Sequence, residues 1–266
     1  MLQVAALTTY PIKSCAGVPL DAAQVGPRGL LGDRQWMLVD EKKRFVTGRL
    51  LPTLVSIKPA MDARQLLVSA PGATPLQVPI PESTERVTVT VWSDTVSALD
   101  AGDEAAAWFS HVCGKSLRLV FADAAMRRPV SANHAVSEHD EVAFPDGYPI
   151  LLLSESAVAQ LSERVGRAMD ARRFRANVLI ANSGAHAEDN WRRIRIGEVE
   201  LAVVKPCVRC VFTTVDPDRA EREPDGEPLV TLKRYRAVEK GVIFGMNAIP
   251  ITHGTIRVHD SIEVLV

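Results

Sequence analysis

From Leu54 to Asp100 the chain is cut into short apolar runs, Leu54-Val55-Ser56-Ile57, Leu66-Leu67-Val68 and Val87-Thr88-Val89-Thr90-Val91-Trp92, with prolines and glycines between them. Proline removes a backbone donor and glycine loses the most entropy on ordering, so a long helix cannot run through such a stretch. β-branched runs of this length instead predict short strands in close succession, which pack as a barrel or sandwich. The flanks extend the pattern. Residues 2–8 alternate weakly and predict a strand ending in the loop Tyr10-Pro11-Ile12-Lys13-Ser14-Cys15-Ala16-Gly17. A second strand is expected over Gln35–Asp40, launched from Gly32-Asp33-Arg34, with a hairpin tip at Glu41–Arg44 returning through Phe45-Val46-Thr47. Leu117–Phe121 reads as another. One helix breaks the run, over Ala101–Val112, where Ala105, Trp108, Phe109 and Val112 recur on one face and Asp100 or Asp103 can cap.

Asp123–Glu141 is polar and irregular, and reads as a long surface connection between two parts of the chain. Its His134 and His139 lie in polar surroundings that favour solvation over metal ligation. Beyond it, Ile150-Leu151-Leu152-Leu153 predicts a buried strand, and Ser154-Glu155-Ser156-Ala157 opens a helix with Val158, Leu161 and Val165 on one face. Val178–Ala181 and Val199–Val204 are further strands; Thr255–Val258 and Ile262–Leu265 are the last, around the turn His259-Asp260. The expected fold is mixed and β-rich, of the α+β class, with a β-rich module over 1–122 and a second domain over 123–266.

Composition limits what such a fold can do. Lys and Arg number 31 against 32 Asp and Glu, a net charge of −1, which leaves no overall basic field for nucleic acid or acidic membranes. The opening Leu2-Gln3-Val4-Ala5-Ala6-Leu7 lacks the basic start of a secretory signal, and no apolar run nears the ~20 residues of a membrane span. Four cysteines at irregular spacing do not make a disulfide framework, so a reducing cytoplasm is the expected compartment. No glycine-rich phosphate loop or nucleophile elbow stands in the chain, and a pyridoxal phosphate site is not expected.

The most chemically loaded stretch is Lys205-Pro206-Cys207-Val208-Arg209-Cys210-Val211-Phe212-Thr213-Thr214-Val215-Asp216-Pro217-Asp218. Two thiols stand beside Lys205 and Arg209, and cationic neighbours favour the thiolate. Four uses compete. A closed zinc site needs four ligands, and Cys15 and Cys113 are isolated from each other in the chain. A thioredoxin-like pair opens a helix, whereas Val211–Val215 is expected to form a strand. Two buried thiols acting as small hydrophobes are a third use, made uncomfortable by the proline and the cations. In the fourth, one thiolate is a soft ligand to a metal carried by an anionic organic cofactor. Such a cofactor needs scattered cations and amide donors, for which Lys13, Ser14, Arg34, Arg175 and Asn177 have the right chemistry.

Lys205–Cys210, followed by Phe212-Thr213-Thr214-Val215-Asp216-Pro217, resembles the signature of the MOSC family, named after the C-terminal domain of molybdenum cofactor sulfurases. Tyr10–Cys15 and Gly32-Asp33-Arg34 resemble the β-rich module that accompanies this domain. Leu153-Ser154-Glu155, Phe174-Arg175-Ala176-Asn177, Glu188-Asp189-Asn190-Trp191, Leu232-Lys233-Arg234-Tyr235-Arg236 and Phe244-Gly245-Met246-Asn247 follow in family order. The resemblance is to the branch that holds the mitochondrial amidoxime-reducing components and bacterial reductases of N-hydroxylated bases.

That resemblance implies a barrel-like MOSC domain and a molybdopterin cofactor, with molybdenum bound by its dithiolene and one protein thiolate. It implies reduction of small N-hydroxylated substrates, with Cys210 as the metal ligand. Lys13, Ser14, Arg34, Arg175 and Asn177 would grip the pterin and its phosphate. Gly147 and Tyr148 would offer backbone groups near the metal, and Cys207, Val208 and Arg209 would line the loop that holds it. Asn247 stands where animal relatives have an aromatic residue, so stacking is lost there. Asp146 is the candidate for proton delivery, a plain turn residue beside Gly147 being the alternative. Some bacterial relatives carry a C-terminal ferredoxin domain. This chain has no cysteines left for an iron–sulfur cluster, so electrons are expected from a separate ferredoxin, flavoprotein or cytochrome. The expectation is a bacterial, cytoplasmic detoxification enzyme that binds neither nucleic acid nor membrane. The alternative is a carrier of molybdenum cofactor, or of sulfur as a cysteine persulfide.

Overall fold

The computed structural model describes residues 1–62, 64–82 and 85–266, and in it strands dominate and α-helices are few. The largest sheet has nine strands. Its order is Ile262–Val264, Arg193–Ile196, Val199–Arg209, Gly241–Pro250, Ile150–Ser154, Val178–Ala181, Gln3–Thr9 and Val18–Leu20, with Ala237–Val238 paired alongside Gly241–Pro250. Ile150–Ser154 and Val178–Ala181 run parallel. A parallel pair needs a crossover, and the helix Glu155–Val165 supplies it. The β-rich α+β architecture expected from the sequence is the one observed.

The strands do not segregate at residue 122. Gln3–Thr9 pairs with Val178–Ala181, from Gln3 opposite Ala181 to Leu7 opposite Val178, and Ala22–Gly26 pairs with Gly254–Arg257. Val4, Leu7, Val25 and Leu30 therefore pack in one core with Leu152, Ile180, Leu201 and Ile256. The middle of the first half has its own core around a four-stranded sheet of Trp36–Val39, Arg118–Phe121, Asp94–Asp100 and Arg86–Val91. Alternation sends Trp36 and Leu38 to one face, against Leu66 and Phe109, and Met37 and Val39 to the other, against Val89 and Phe144. Burial of both faces explains why this strand reads as a continuous apolar run.

Several local expectations change. Leu54–Ile57 is not a strand: Pro52–Ser56 is a 3-10 turn, with proline at its start and Leu54 and Val55 turned inward. Val211–Val215 is not a strand either. The strand lies before the second cysteine, over Val199–Arg209, and Val211–Thr214 is a 3-10 turn. The threonines decide it, since Thr213 Oγ1 donates to Cys210 O at 3.0 Å and Thr214 Oγ1 to Val211 O at 2.8 Å. Such local bonds outweigh β propensity. Ala73–Pro79 is a strand despite two prolines, because it lies at the edge of its sheet. The first helix, Asp103–Cys113, starts after Gly102 without a side-chain cap; Asp100 instead accepts the Gly102 N–H at 2.8 Å. The turn at His259-Asp260 links two sheets rather than closing a hairpin. No helix among the described residues is long and apolar enough to cross a membrane.

Candidate active site

Every candidate named from the sequence borders one cavity, between the loop after Gln3–Thr9 and the end of the Val199–Arg209 strand. Lys13 and Ser14 reach it from that loop, which is anchored where the Lys13 N–H meets Trp36 O at 2.8 Å. The Lys13 side chain is buried, and its Nζ donates to Phe144 O at 2.8 Å and Asp146 Oδ1 at 2.6 Å. Ser14 is a buried residue at the cavity wall, and its hydroxyl makes no hydrogen bond to another described residue.

Arg34 is aimed by Asp33. This buried carboxylate accepts from the Tyr10 N–H at 2.8 Å, Asn177 Nδ2 at 3.0 Å, the Thr9 hydroxyl at 3.4 Å and the Arg34 guanidinium. Arg34 in turn donates to Asn177 Oδ1 at 2.9 Å and Arg175 O at 3.0 Å. Asn177 also accepts the Leu151 N–H and gives its second amide hydrogen to Thr8 O, both at 3.1 Å. Its donors are all engaged within the protein. It lines the cavity with its amide bonded to Arg34, Asp33, Thr8 and Leu151 of the protein itself, an arrangement that braces Arg34.

The Tyr10 ring lies 4.5 Å from the Arg34 guanidinium and 4.1 Å from that of Arg175, and its quadrupole lets two like charges sit close. Arg175 donates Nη1 to Cys15 O at 2.5 Å, while its buried Nη2 has no partner. Burial, followed by the charge of Arg34, pushes its pKa down to about 10. Arg209 gives Nε to Phe244 O at 2.8 Å and Nη1 to Phe174 O at 2.9 Å, and its Nη2 is also buried and unpartnered. So is Nε of Arg173, whose other nitrogens hold Asp216, Glu223 and Thr214 O. Ser14, Arg34 and Arg175 all have left-handed backbones, with φ of 70°, 47° and 56°. Such conformations cost roughly 1–3 kcal/mol each and persist only where the surroundings hold them.

The strand Val199–Arg209 carries Cys207 and delivers Cys210 just past its end. Irregularities between Val203 and Lys205 and between Pro206 and Val208 bend it. Asn247, opposite on Gly241–Pro250, staples the bent stretch by donating Nδ2 to Lys205 O at 3.2 Å and Pro206 O at 3.4 Å. The two thiols differ. Cys207 packs, partly buried, against the apolar cluster that includes Leu151, Phe174 and Phe244, and desolvation raises its pKa, outweighing the nearby Arg209 charge. The expectation that flanking cations favour both thiolates fails there for that reason. Lys205 is turned away, its Nζ 5.8 Å over the Tyr148 ring. Cys210 belongs to none of the apolar clusters and caps the turn Val211–Thr214, partly exposed. Cys15 and Cys113, far apart in the chain, share another core, where burial raises both pKa values, that of Cys113 to about 11. Among the described residues no three His, Cys, Asp or Glu gather to hold a metal.

Asp146, Gly147 and Tyr148 form the opposite rim. A Cβ at Gly147 would meet nothing within 4 Å, so the backbone there is open to a ligand. Partial desolvation at the cavity rim works against ionisation of Asp146, whose side chain is nonetheless largely exposed, and Lys13 and the Trp92 Nε1–H, 3.2 Å away, prevail with help from Arg49 and hold its carboxyl far below the usual range. Burial lowers the pKa of Lys13, against the pull of Asp146. Sequence reasoning did not select Arg49, Trp92 or Asp33 as site residues, whereas Arg173 belongs to the arginine run 172–175, which reads as an anion site or a charged helix end and does line the cavity. Only Asp33, beside Arg34, lay within a motif that could have flagged it.

Lys13, Arg34, Arg49, Arg173, Arg175 and Arg209 thus face a wall whose one carboxylate among the described residues is Asp146. Unpartnered buried polar atoms need an explanation, and three of these arginines hold one. An anionic ligand with several acceptor oxygens fits the donor set, and the residues suit a phosphorylated pterin carrying a thiolate-bound metal.

Comparison with known proteins gives the same outline. The model of the MOSC N-terminal beta barrel domain matches residues 1–116, and that of the MOSC domain matches 139–263. Mitochondrial amidoxime-reducing component 1 of Homo sapiens is 35% identical over 279 residues, covering 98% of this chain and 82% of the human protein. Its Mus musculus counterpart is 37% identical over 280 residues, with the same coverage. Mitochondrial amidoxime reducing component 2 of Rattus norvegicus is 34% identical over 276 residues, covering 97% and 81%.

Proposed function

Since the chain belongs to the family of MOSC proteins with an N-terminal MOSC β-barrel, the family of the amidoxime-reducing components, we propose that it is a molybdenum-cofactor-dependent reductase of N-hydroxylated compounds. The observation that carries this reading is the cationic cavity, with unpartnered guanidinium nitrogens on three arginines and Cys210 at its edge. The net reaction is R–NHOH + 2 e⁻ + 2 H⁺ → R–NH₂ + H₂O, and amidoximes and N-hydroxylated bases are reduced by the same balance. When bound, the cofactor supplies the two-electron oxygen-accepting chemistry.

The chain's own residues do the rest. Lys13, Ser14, Arg34 and Arg175 hold the anionic cofactor, and Cys210 provides the thiolate to its metal. Asn177 and Asn247 act one step back, bracing Arg34 and the cysteine strand. Asp146 faces the cavity as a carboxylate, its Oδ1 bonded to the Lys13 ammonium. It therefore works as an acceptor for substrate N–H or O–H, and the proton of the pair resides on Lys13. Electrons come from a separate carrier protein, a ferredoxin, flavoprotein or cytochrome.

Metal analysis of the purified protein, followed by dye-fuelled reduction of benzamidoxime or 6-hydroxylaminopurine, tests the proposal. Stoichiometric molybdenum with turnover is expected. Molybdenum without turnover of any N-hydroxylated substrate, under an effective reductant, refutes the enzyme and leaves a cofactor carrier.

A further inference from the structure

Trp92 has no assigned role in the reaction beyond its hydrogen bond to Asp146, yet its backbone is strained and the residue is partly exposed. It is the first residue of the two-residue loop between Arg86–Val91 and Asp94–Asp100, with Val91 opposite Asp94. Its φ is 58°, in a position where hairpins normally place glycine, and a bulky residue there is an outlier. The residue is 43% exposed, so burial does not account for it.

What the strain achieves is visible around the ring. The Arg49 guanidinium lies 4.2 Å from the indole centroid, and the Phe45 ring is 5.2 Å away. Held this way, Nε1 donates to Asp146 Oδ1 at 3.2 Å. That is the oxygen that Lys13 Nζ also meets, at 2.6 Å. Both donors take one oxygen. Among the described residues no hydrogen bond reaches Oδ2, and the side chain is 69% exposed at the cavity rim. The other charges facing this carboxylate come from every element around it. Arg49 lies on the Thr47–Leu51 turn, Arg128 donates to the Asp146 backbone carbonyl at 3.2 Å, and Cys207 lies across the cavity.

We propose that Trp92 is a positioning residue for reduction of the N-hydroxylated substrate: by fixing Oδ1 together with Lys13, it leaves Oδ2 of Asp146 as the single oxygen presented to substrate. The proposal rests on the reductase reading given above. At 3.2 Å and partly exposed, loss of this hydrogen bond to a charged group is expected to change the rate about tenfold.

The test is Trp92→Phe, which keeps the ring and removes the N–H, in the intact molybdenum-loaded protein. With benzamidoxime and a dye reductant, kcat falls about tenfold while KM and molybdenum content stay within twofold, and the acidic limb of the kcat–pH profile moves to higher pH. In Asp146→Asn the further Trp92→Phe change has little left to remove, so the two effects do not add. Independently of turnover, the indole Nε1–H resonance assigned by Trp92→Phe shifts in Asp146→Asn. An unmoved resonance overturns the proposal, as does a Trp92→Phe enzyme with wild-type kcat and pH profile. Absence of any turnover in the wild type overturns the reductase reading instead, and the resonance still decides on Trp92.

Discussion

Replacing Asp33 by asparagine removes one charge from a buried group beside the cavity whose carboxylate accepts four hydrogen bonds. Asp33 and Arg34 side chains are 1% and 11% exposed. Asparagine keeps an acceptor for the Tyr10 N–H and for Asn177 Nδ2, but turns an NH₂ toward the Arg34 guanidinium, donor against donor. Removing one partner of a buried ion pair costs about 3–5 kcal/mol. Arg34 retains Asn177 Oδ1 and Arg175 O, which places the expected loss at the low end, about 3 kcal/mol. For a chain of this size that lowers Tm by roughly 6–12 °C. Urea melts of the cofactor-free protein measure it directly, read as a lower midpoint at unchanged slope. Asp62→Asn, at an exposed carboxylate bonded only to its own turn, serves as control within about 0.5 kcal/mol. A loss below about 1 kcal/mol for Asp33→Asn would falsify the view that this carboxylate holds Arg34 in its strained backbone.

Three further outcomes are expected. Cys210→Ser abolishes molybdenum retention and turnover, while Cys207→Ser spares most of both, because Cys207 packs in an apolar cluster; metal content per chain decides, and the reverse ranking overturns the ligand assignment. Gly245→Ala destabilises by more than about 2 kcal/mol in a urea melt, since its Cβ would lie 2.6 Å from Leu152 O at a φ of 77°. Stability also depends on two groups near the Glu155–Val165 helix, the partly buried His186 and the buried Glu188. Burial lowers His186 to about 4, so its contribution is complete above the ordinary histidine pKa and is lost as pH falls through about 4. Burial raises Glu188, so its contribution is complete below the ordinary glutamate pKa and is lost as pH rises through its folded value. Glu188→Gln should remove that second slope, and an unchanged stability–pH curve for this variant contradicts it.

The cavity was legible because its chemistry is local to short, distinctive stretches. A thiol pair beside arginine, a Lys-Ser loop and an Arg-x-Asn lip each announce themselves by residue type, and all of them line it. What each side chain does there was not legible. Asn177 and Asn247 look like ligand donors in the sequence, and only their partners reveal braces. Trp92 reads as the end of a β run, because nothing in its neighbours announces a positive φ. Three of the motifs that carry the family resemblance lie elsewhere. Glu188 accepts the Ser154 N–H at 3.1 Å and Asp189 meets Arg236 at 2.6 Å. They join Leu153-Ser154-Glu155, Glu188–Trp191 and Leu232–Arg236 into a clamp behind the strands that carry Asn247 and the Gly147 loop. Motif status marks constraint, and it does not separate a clamp from a ligand site. The strand expected over Val211–Val215 failed because threonine hydroxyls overrode propensity.

The placement of Gln3–Thr9 inside the nine-stranded sheet bears on how the molecule is made. Asn177 Nδ2 reaches back 169 residues to Thr8 O, and Arg175 reaches back 160 to Cys15 O. A growing chain therefore exposes Lys13, Ser14 and Arg34 long before their partners leave the ribosome. Contacts of such span form late and slowly. The cavity closes only once residues as late as Asn247 have been made, so the anionic cofactor proposed for it would enter a nearly complete chain, not an early nascent one.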